Sequence, residues 1–488
     1  VVYEDRPYVT ARPDEVAARL DLCPQMGEKP TKSPDWNLER WKAVRDLIAG
    51  WYGDDRPDHE LVPDLVERLC GWMDAAQREV VEQLFAGWRA MYPKMADGAV
   101  DLDPPAISVI DHVHRVELKV KPALALTHPS GEIEVIRLRS GSGGTSQAEA
   151  AVLHQEKEPG TFFVDAFVAA GSAEEIADPP DREAIVERLV AAAGEPGRRR
   201  LNPGVHCFSC SSAPRCGQYP LLEGGRVFNS TRSLMVSKTL LDWVDVCQRR
   251  VAWDRLHQLP RDREDEMELG GRLATGLLFH RTAAAAIGVD DPEPILAAAM
   301  RESSPSEASE LRRLWDNHLR LWEKEGRPEL RATELWAGFT LMAPGLRVDS
   351  RGRSHEEPVA VTFVGALDAT GREADGTPMV VEHRTGAGGD HGHLEAELYA
   401  VSAAALIGSR SGSPPERVAV HLHHLRPEEP HCERRVFDTA ELAAAVASLS
   451  AVAGMIAGWH PLESLSPPFA VGPWCGSCHH RRRCERFR

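Results

Sequence analysis

Ten cysteines occur in the 488 residues, and six of them fall into two copies of one pattern: Cys207-x2-Cys210-x5-Cys216 and Cys475-x2-Cys478-x5-Cys484. A two-residue gap lets a tight turn aim both sulfurs at one inorganic centre, and the third sulfur returns about one and a half helical turns later. Three other groups stand on what the pattern makes separate elements: His280 on a helix after Gly276, Asp368 closing FVGALD, and Glu382 within VVEHR. Two carboxylates with an imidazole suit a hard divalent ion such as Mg or Mn, held by few protein groups so that a substrate phosphate can complete its shell. The chemistry such a site supports is metal-assisted phosphodiester hydrolysis.

Elements must bring these residues together. SKTLLDWVDVCQRRVAWDRLH and GLLFHRTAAAAI carry apolar residues at helical spacing, as does HLEAELYAVSAAALIG. VAVTFVGALDAT and TPMVVEHRTG are predicted as neighbouring strands joined by the turn GREADG, and ERVAVHLHHL as a further strand. The order is that of an α/β fold, a mixed sheet with helices packed on it. The repeated cysteine pattern prompts a search for a longer duplication. EVIRLRSGSGG at 134–144 parallels VVEHRTGAGG at 380–389, and a helix followed by a Pro-containing loop precedes each cysteine trio. Two tandem copies are therefore expected, 1–225 and 226–488.

From about residue 230 onward the motifs resemble the PD-(D/E)XK nuclease superfamily, in particular its RecB-like branch with an iron-sulfur cluster. That branch includes AddAB-type helicase-nucleases and CRISPR adaptation exonucleases. The family pattern is a helix closing on a first Cys, Gly-x-x-x-His, Gly-x-x-Asp, Asp/Glu-x-Lys-Thr-Gly, Gln-x-x-x-Tyr and a Cys-x2-Cys-x5-Cys tail. The corresponding stretches here are SKTLLDWVDVCQRR with Cys247, GLLFH with His280, GALD with Asp368, EHRTG with Glu382, ELYA, and CGSCHHRRRC. The resemblance implies a 4Fe-4S cluster on Cys247, Cys475, Cys478 and Cys484, and Mg or Mn on His280, Asp368 and Glu382. Zinc is the alternative for the thiolates.

Two positions depart from the pattern: Arg384 stands where the family has Lys, and Glu395 where it has Gln. In the family that lysine orients the attacking water and contacts the scissile phosphate. Arginine keeps the charge but presents a planar fork and does not deprotonate. In the first copy Arg137 falls opposite Glu382, and Ala123 or Ala125 opposite Asp368, so neither metal carboxylate survives. That half is expected to be degenerate. A second cluster there would use Cys207, Cys210 and Cys216, with Cys23 as fourth ligand and Cys70 as its rival.

The net charge of -17 argues against a generally basic nucleic-acid coat, leaving local arginine clusters such as Arg481–Arg483. No apolar run approaches a membrane span and no secretory leader is evident, so a cytoplasmic protein is expected. Thiols in that compartment stay reduced, which favours metal over disulfides. No GxxxxGK[ST] loop occurs, so ATP-driven movement would come from another chain. Two functions follow: a metal-dependent DNA nuclease acting on single strands or ends in repair or phage defence, or a dead copy serving as the DNA-binding or scaffolding subunit of a helicase or defence complex.

Overall fold

In the computed structural model, residues 8–21, 36–94, 99–139, 144–155, 157–194, 207, 218–222, 232–244, 246–257, 259, 263–289, 291–326, 329–348, 353–385, 393–426 and 428–460 are described, with 463, 465, 467–472, 475, 478, 480, 481 and 484 of the tail. Cys23, Cys210, Cys216 and both Gly-rich loops that were matched (140–143 and 386–390) lie outside the described residues.

The architecture is mixed α/β, with three sheets flanked by helices. In the carboxy-terminal half the strands are β1 (Arg232–Ser237), β2 (Glu329–Val348), β3 (Ser354–Arg372), β4 (Pro378–Arg384), β5 (Arg417–His424) and β6 (His431–Asp438). The helices are α1 (Lys238–Val244), α2 (Gln248–Arg255), α3 (Arg263–Ala286), α4 (Glu293–Arg301), α5 (Pro305–Lys324), α6 (His393–Ser411) and α7 (Thr439–Ala457). The sheet runs β2-β3-β4-β5-β6, with β1 pairing parallel to the outer part of β3. β2, β3 and β4 are antiparallel neighbours, β4 and β5 are parallel with α6 as their crossover, and β6 returns antiparallel. Parallel neighbours need such a crossover because a tight hairpin cannot join them.

The central strands read as continuous apolar runs because helices cover them. Val359, Val361, Phe363 and Leu367 of β3, Val380 of β4 and Val418, Val420 and Leu422 of β5 are buried with Leu398, Tyr399 and Val401 of α6. α7 is long and apolar enough to span a membrane by length and composition, contrary to the expectation that no such run exists. Here it packs Leu449, Val452, Ala453 and Ile456 into the sheet core.

The amino-terminal half holds a five-stranded sheet, in the order Ala99–Asp101, Leu124–Thr127, Ile133–Arg139, Thr161–Phe167, Ser172–Glu175. Its pairings are antiparallel, antiparallel, parallel and antiparallel. That is the sequence of senses along β2-β3-β4-β5-β6. The helix Gln147–Gln155 crosses over between its parallel pair as α6 does in the other sheet. A separate three-stranded sheet combines Val9–Ala11, Ile107–Asp111 and Val116–Val120. Three helices, Trp36–Tyr52, Asp58–Cys70 and Ala75–Met91, form a core that also takes in Trp253 and Leu259 from beyond α1. Tyr219–Leu222 runs along the free edge of β2, where Thr340 donates to the Pro220 carbonyl and accepts from the Leu222 amide. The two halves are thus joined by shared packing.

Candidate metal and active site

Asp368 and Glu382 come from adjacent strands. The β3–β4 ladder ends at Ala369 opposite Val381, and the two carboxylates stand on the next step of each strand. There the His383 amide donates to Asp368 Oδ2 at 2.7 Å, so the strand partner of that amide is a side chain. His280 arrives from α3, its Nδ1 3.1 Å from Asp368 Oδ1. Gly276, one turn earlier, explains how a helix comes so near: a Cβ there would lie 2.7 Å from Thr385 Oγ1, just past the end of β4. Of the three residues expected to hold a cation, His280 and Asp368 meet, and the third ligand atom grouped with them is on His383; Glu382 stands on the neighbouring strand and is outside that group.

A fourth group joins them that sequence reasoning missed. Lys238, the first residue of α1, makes an ion pair with Glu382 through its Nζ. The ammonium also lies 5.8 Å from the centre of the Tyr399 ring. β1 lines up parallel with β3 up to Ser237 opposite Val364, which delivers the start of α1 to the site. The available signal was the short strand RSLMVS abutting a helix, with a charged residue at the junction.

Electrostatics follow from burial. Glu382 is 2% exposed, and burial together with the nearby Asp368 charge pushes its carboxyl well above the usual range, while Lys238 opposes that shift. Burial alone would raise Asp368 too, but the His280 hydrogen bond and the His280 and Lys238 charges outweigh it and hold it low. Burial would lower Lys238, and Glu382, Asp368 and Glu395 instead push it up. The ammonium is therefore charged at neutral pH. Glu382 Oε2 is buried without a hydrogen-bond donor, a costly state that a divalent cation would relieve. The donor set of two carboxylates and one imidazole fits a hard ion.

A sequence model of the PD-(D/E)XK nuclease superfamily matches residues 236–485, half of the chain. The chain belongs to that superfamily. No curated protein matches it. Among solved structures, the crystal structure of SSO0001 is similar at 13% identity, covering 52% of this chain and 86% of that one with a TM-score of 0.22.

Against the PD-(D/E)XK pattern the two departures turn out to be a pair. Arg384, in place of the motif lysine, is bonded through its guanidinium to Glu395, in place of the motif glutamine. Tyr399 donates to the other Glu395 oxygen at 3.1 Å. The arginine is thereby tied to α6, whereas the lysine beside the carboxylates comes from α1. The amino-terminal sheet also has Arg–Glu pairs to its crossover helix: Arg139 lies 3.6 Å from Glu149 Oε2, and Arg137, the residue matched to Glu382 in the sequence, lies 2.8 Å from Glu149 Oε1. Both guanidinium groups there are paired with buried carboxylates, Arg139 also with Asp165 at 2.9 Å.

The cysteines were read as joining the start of the nuclease region to its tail. One continuous helix was expected through Cys247. Instead α1 and α2 are separate, and Cys247 sits extended between them at φ -157 and ψ 94. α2 is clamped to the tail: Arg249 donates to the carbonyls of Leu465, Pro467 and Pro468 and stacks on Phe469. His480 Nε2 lies 3.1 Å from Asp254 Oδ1. The tail turns at each cysteine, with the Cys478 amide bonded to the Cys475 carbonyl and the Cys484 amide to Arg481. Burial pushes the Cys478 thiol up, with a smaller push from the Cys247 side. None of the four is in a disulfide. Cys207 is buried against Val364, Met235 and Trp336 of the carboxy-terminal sheet. Cys70 is sealed in the helical core, where burial pushes its thiol up to about 11.

Proposed function

We propose that residues 226–488 are a Mg- or Mn-dependent DNA nuclease of the RecB-like branch, acting on single strands or ends. The observation that carries the reading is the meeting of His280 with Asp368 at the step of the sheet that also bears Glu382 and its ion-pair partner Lys238. His280, Asp368 and Glu382 would hold the metal. When bound, the ion supplies Lewis-acid activation of water and neutralises charge on the phosphate. The chain's own residues do the rest. Lys238 offers three rotatable donors as a compact point charge, suited to a phosphate oxygen or a water. It stands in for the motif lysine, because Arg384 is engaged by Glu395. His280 fixes the Asp368 carboxylate, and Gly276 fixes the approach of His280.

Cys247, Cys475, Cys478 and Cys484 would carry a structural 4Fe-4S cluster. The clamp of α2 on the tail supports this, because it joins the first ligand to the last three across the whole nuclease region. Iron and acid-labile sulfide assayed in the purified protein should be stoichiometric; zinc in their place would replace the cluster reading with a structural zinc. Residues 1–225 would be a degenerate tandem copy, a reading supported by the common strand order and by the shared Arg–Glu pairs. That half would serve shape, DNA contact or docking of a helicase or defence partner. A cluster there would draw on Cys207, Cys210 and Cys216, with Cys23 ahead of the core-buried Cys70 as fourth ligand.

One observation favours the second function, a DNA-binding or scaffolding subunit without catalysis: the Lys238 ammonium itself neutralises Glu382 and could replace a metal. Purified protein given Mn and labelled single-stranded DNA decides between them. Cleavage to short products that Asp368→Ala abolishes supports the nuclease. A folded protein that binds DNA without cutting it supports the scaffold, and equal cutting by Asp368→Ala would place the chemistry elsewhere.

A further inference from the structure

Behind the carboxylates lies a second set of donors. His318 of α5, His383 of β4 and His423 of β5 are all buried, at 7%, 4% and 1% exposure, and offer ring nitrogens within 4.8 Å of one another. His383 and His423 are register partners across the parallel β4–β5 pair, and α5 lays His318 over both. Their ring centroids are 4.9, 5.7 and 6.4 Å apart, with the planes steeply inclined. Such mutual tilting points nitrogens at a common centre and stacks no faces.

Their hydrogen bonding is incomplete in a consistent way. His318 Nδ1, His423 Nδ1 and both nitrogens of His383 are buried without a hydrogen-bond partner. Each unsatisfied polar atom costs about 1–3 kcal/mol, so three imidazoles left this way in one core need an explanation. His423 supplies a direction, since its Nε2 lies 3.0 Å from Glu325 Oε2. Donation to that carboxylate fixes the tautomer and leaves Nδ1 with a bare lone pair, the arrangement in which a metal-bound histidine is oriented from behind. His383 Nδ1 has the Asp368 Oδ2 carboxylate 3.6 Å away, beyond hydrogen-bond distance but close enough to favour a positive charge there. Glu325 is itself positioned, its Oε2 3.4 Å from His421 Nδ1, while His421 Nε2 is held by Glu373 at 2.8 Å.

We propose that His318, His383 and His423 bind a transition-metal ion, most simply Zn, as a site separate from the hard-cation site of Asp368 and Glu382. Three neutral imidazoles suit Zn, Cu, Fe or Ni and do not suit Mg, which takes oxygen donors. A tetrahedral zinc with Zn–N near 2.1 Å sets its nitrogens roughly 3.4 Å apart, a closure within reach of side-chain rotation. Glu325 and Asp368 offset its charge. The ion would pin α5 to β4 and β5 directly beneath the proposed nuclease site, where Asn317 already donates to the Leu425 carbonyl at 2.6 Å. The sequence hid this set because its members come from three elements, with only His423 inside an obviously His-rich run.

The test is zinc retention by the full chain after gel filtration in metal-free buffer, joined to X-ray absorption at the zinc edge. One retained equivalent with a sulfur-free first shell of three imidazole nitrogens and one water oxygen is expected. His318→Gln and His423→Gln should each lose it, while His280→Gln should keep it. Zinc counts unchanged in His318→Gln and His423→Gln would overturn the site. Where those variants do not fold, the wild-type edge decides alone: an all-sulfur shell, an all-oxygen shell or no stoichiometric zinc overturns it.

Discussion

Two buried carboxylates on adjacent strands repel, and the side chains around them show how that repulsion is shared. Asp368 takes His280 and the His383 amide, while Glu382 takes Lys238 and keeps one oxygen unsatisfied. Arg384 and Glu395 are a separate balance of charge next to it. Both are mostly buried, at 16% and 7% side-chain exposure, so Arg384→Ala leaves an unpaired buried carboxylate and should cost about 3–5 kcal/mol. Changing both partners to the family pair, Arg384→Lys with Glu395→Gln, should recover most of that stability, as read by denaturant unfolding. Equal stability of Arg384→Ala and wild type would mean that the ion pair is solvated and idle. His280, Asp368 and Glu382 could be singled out in the sequence because each sits in a short local motif. Lys238 could not, because its meaning depends on Glu382, 144 positions away, and on the parallel seating of β1 against β3.

At the scale of elements, the site depends on how closely α3 approaches the end of β4. Gly276→Ala would put a methyl 2.7 Å from Thr385 Oγ1. Overpacking of this kind costs about 1–3 kcal/mol and should push His280 away from Asp368, weakening Mn binding measured by calorimetry. Thr385→Ala removes the clashing oxygen and should restore the affinity in the double variant; a Gly276→Ala protein that binds Mn normally would show that the helix has room. Strands β3, β4 and β5 and helices α3 and α6 were readable from apolar runs, alternation and turn residues. β2 was not recognised, although it is 20 residues long and the principal partner of β3. Its Gly338, Pro344 and Gly345 interrupt the pattern, and its regularity is imposed by pairing with β3 along almost its whole length. The continuous helix expected through Cys247 failed for a related reason: Arg249, Trp253 and Asp254 are committed to the tail and to the helical core, and tertiary contacts override local propensity.

Across the whole molecule the two sheets share order and sense, but they differ in their buried acids: Asp165 of the amino-terminal sheet is paired with Arg139, whereas Asp368 of the carboxy-terminal one is paired with His280. The acidic balance of -17 makes a local cationic group in the site more consequential, because a phosphate approaching this chain meets mostly like charge. Tying α2 to the tail closes a loop that spans the entire nuclease region, and a cluster on Cys247 and the tail trio would remove much of the entropy of that loop from the unfolded chain. Lys238, placed by the seating of β1 on β3 and paired with Glu382, is the group on which the proposed chemistry most depends. Single-turnover cleavage of labelled single-stranded DNA in saturating Mn, comparing Lys238→Met with wild type, is the direct measurement. A fall of about two orders of magnitude or more, with Mn and DNA affinity retained, is the predicted result. A rate within twofold of wild type would contradict it and return the role to Arg384.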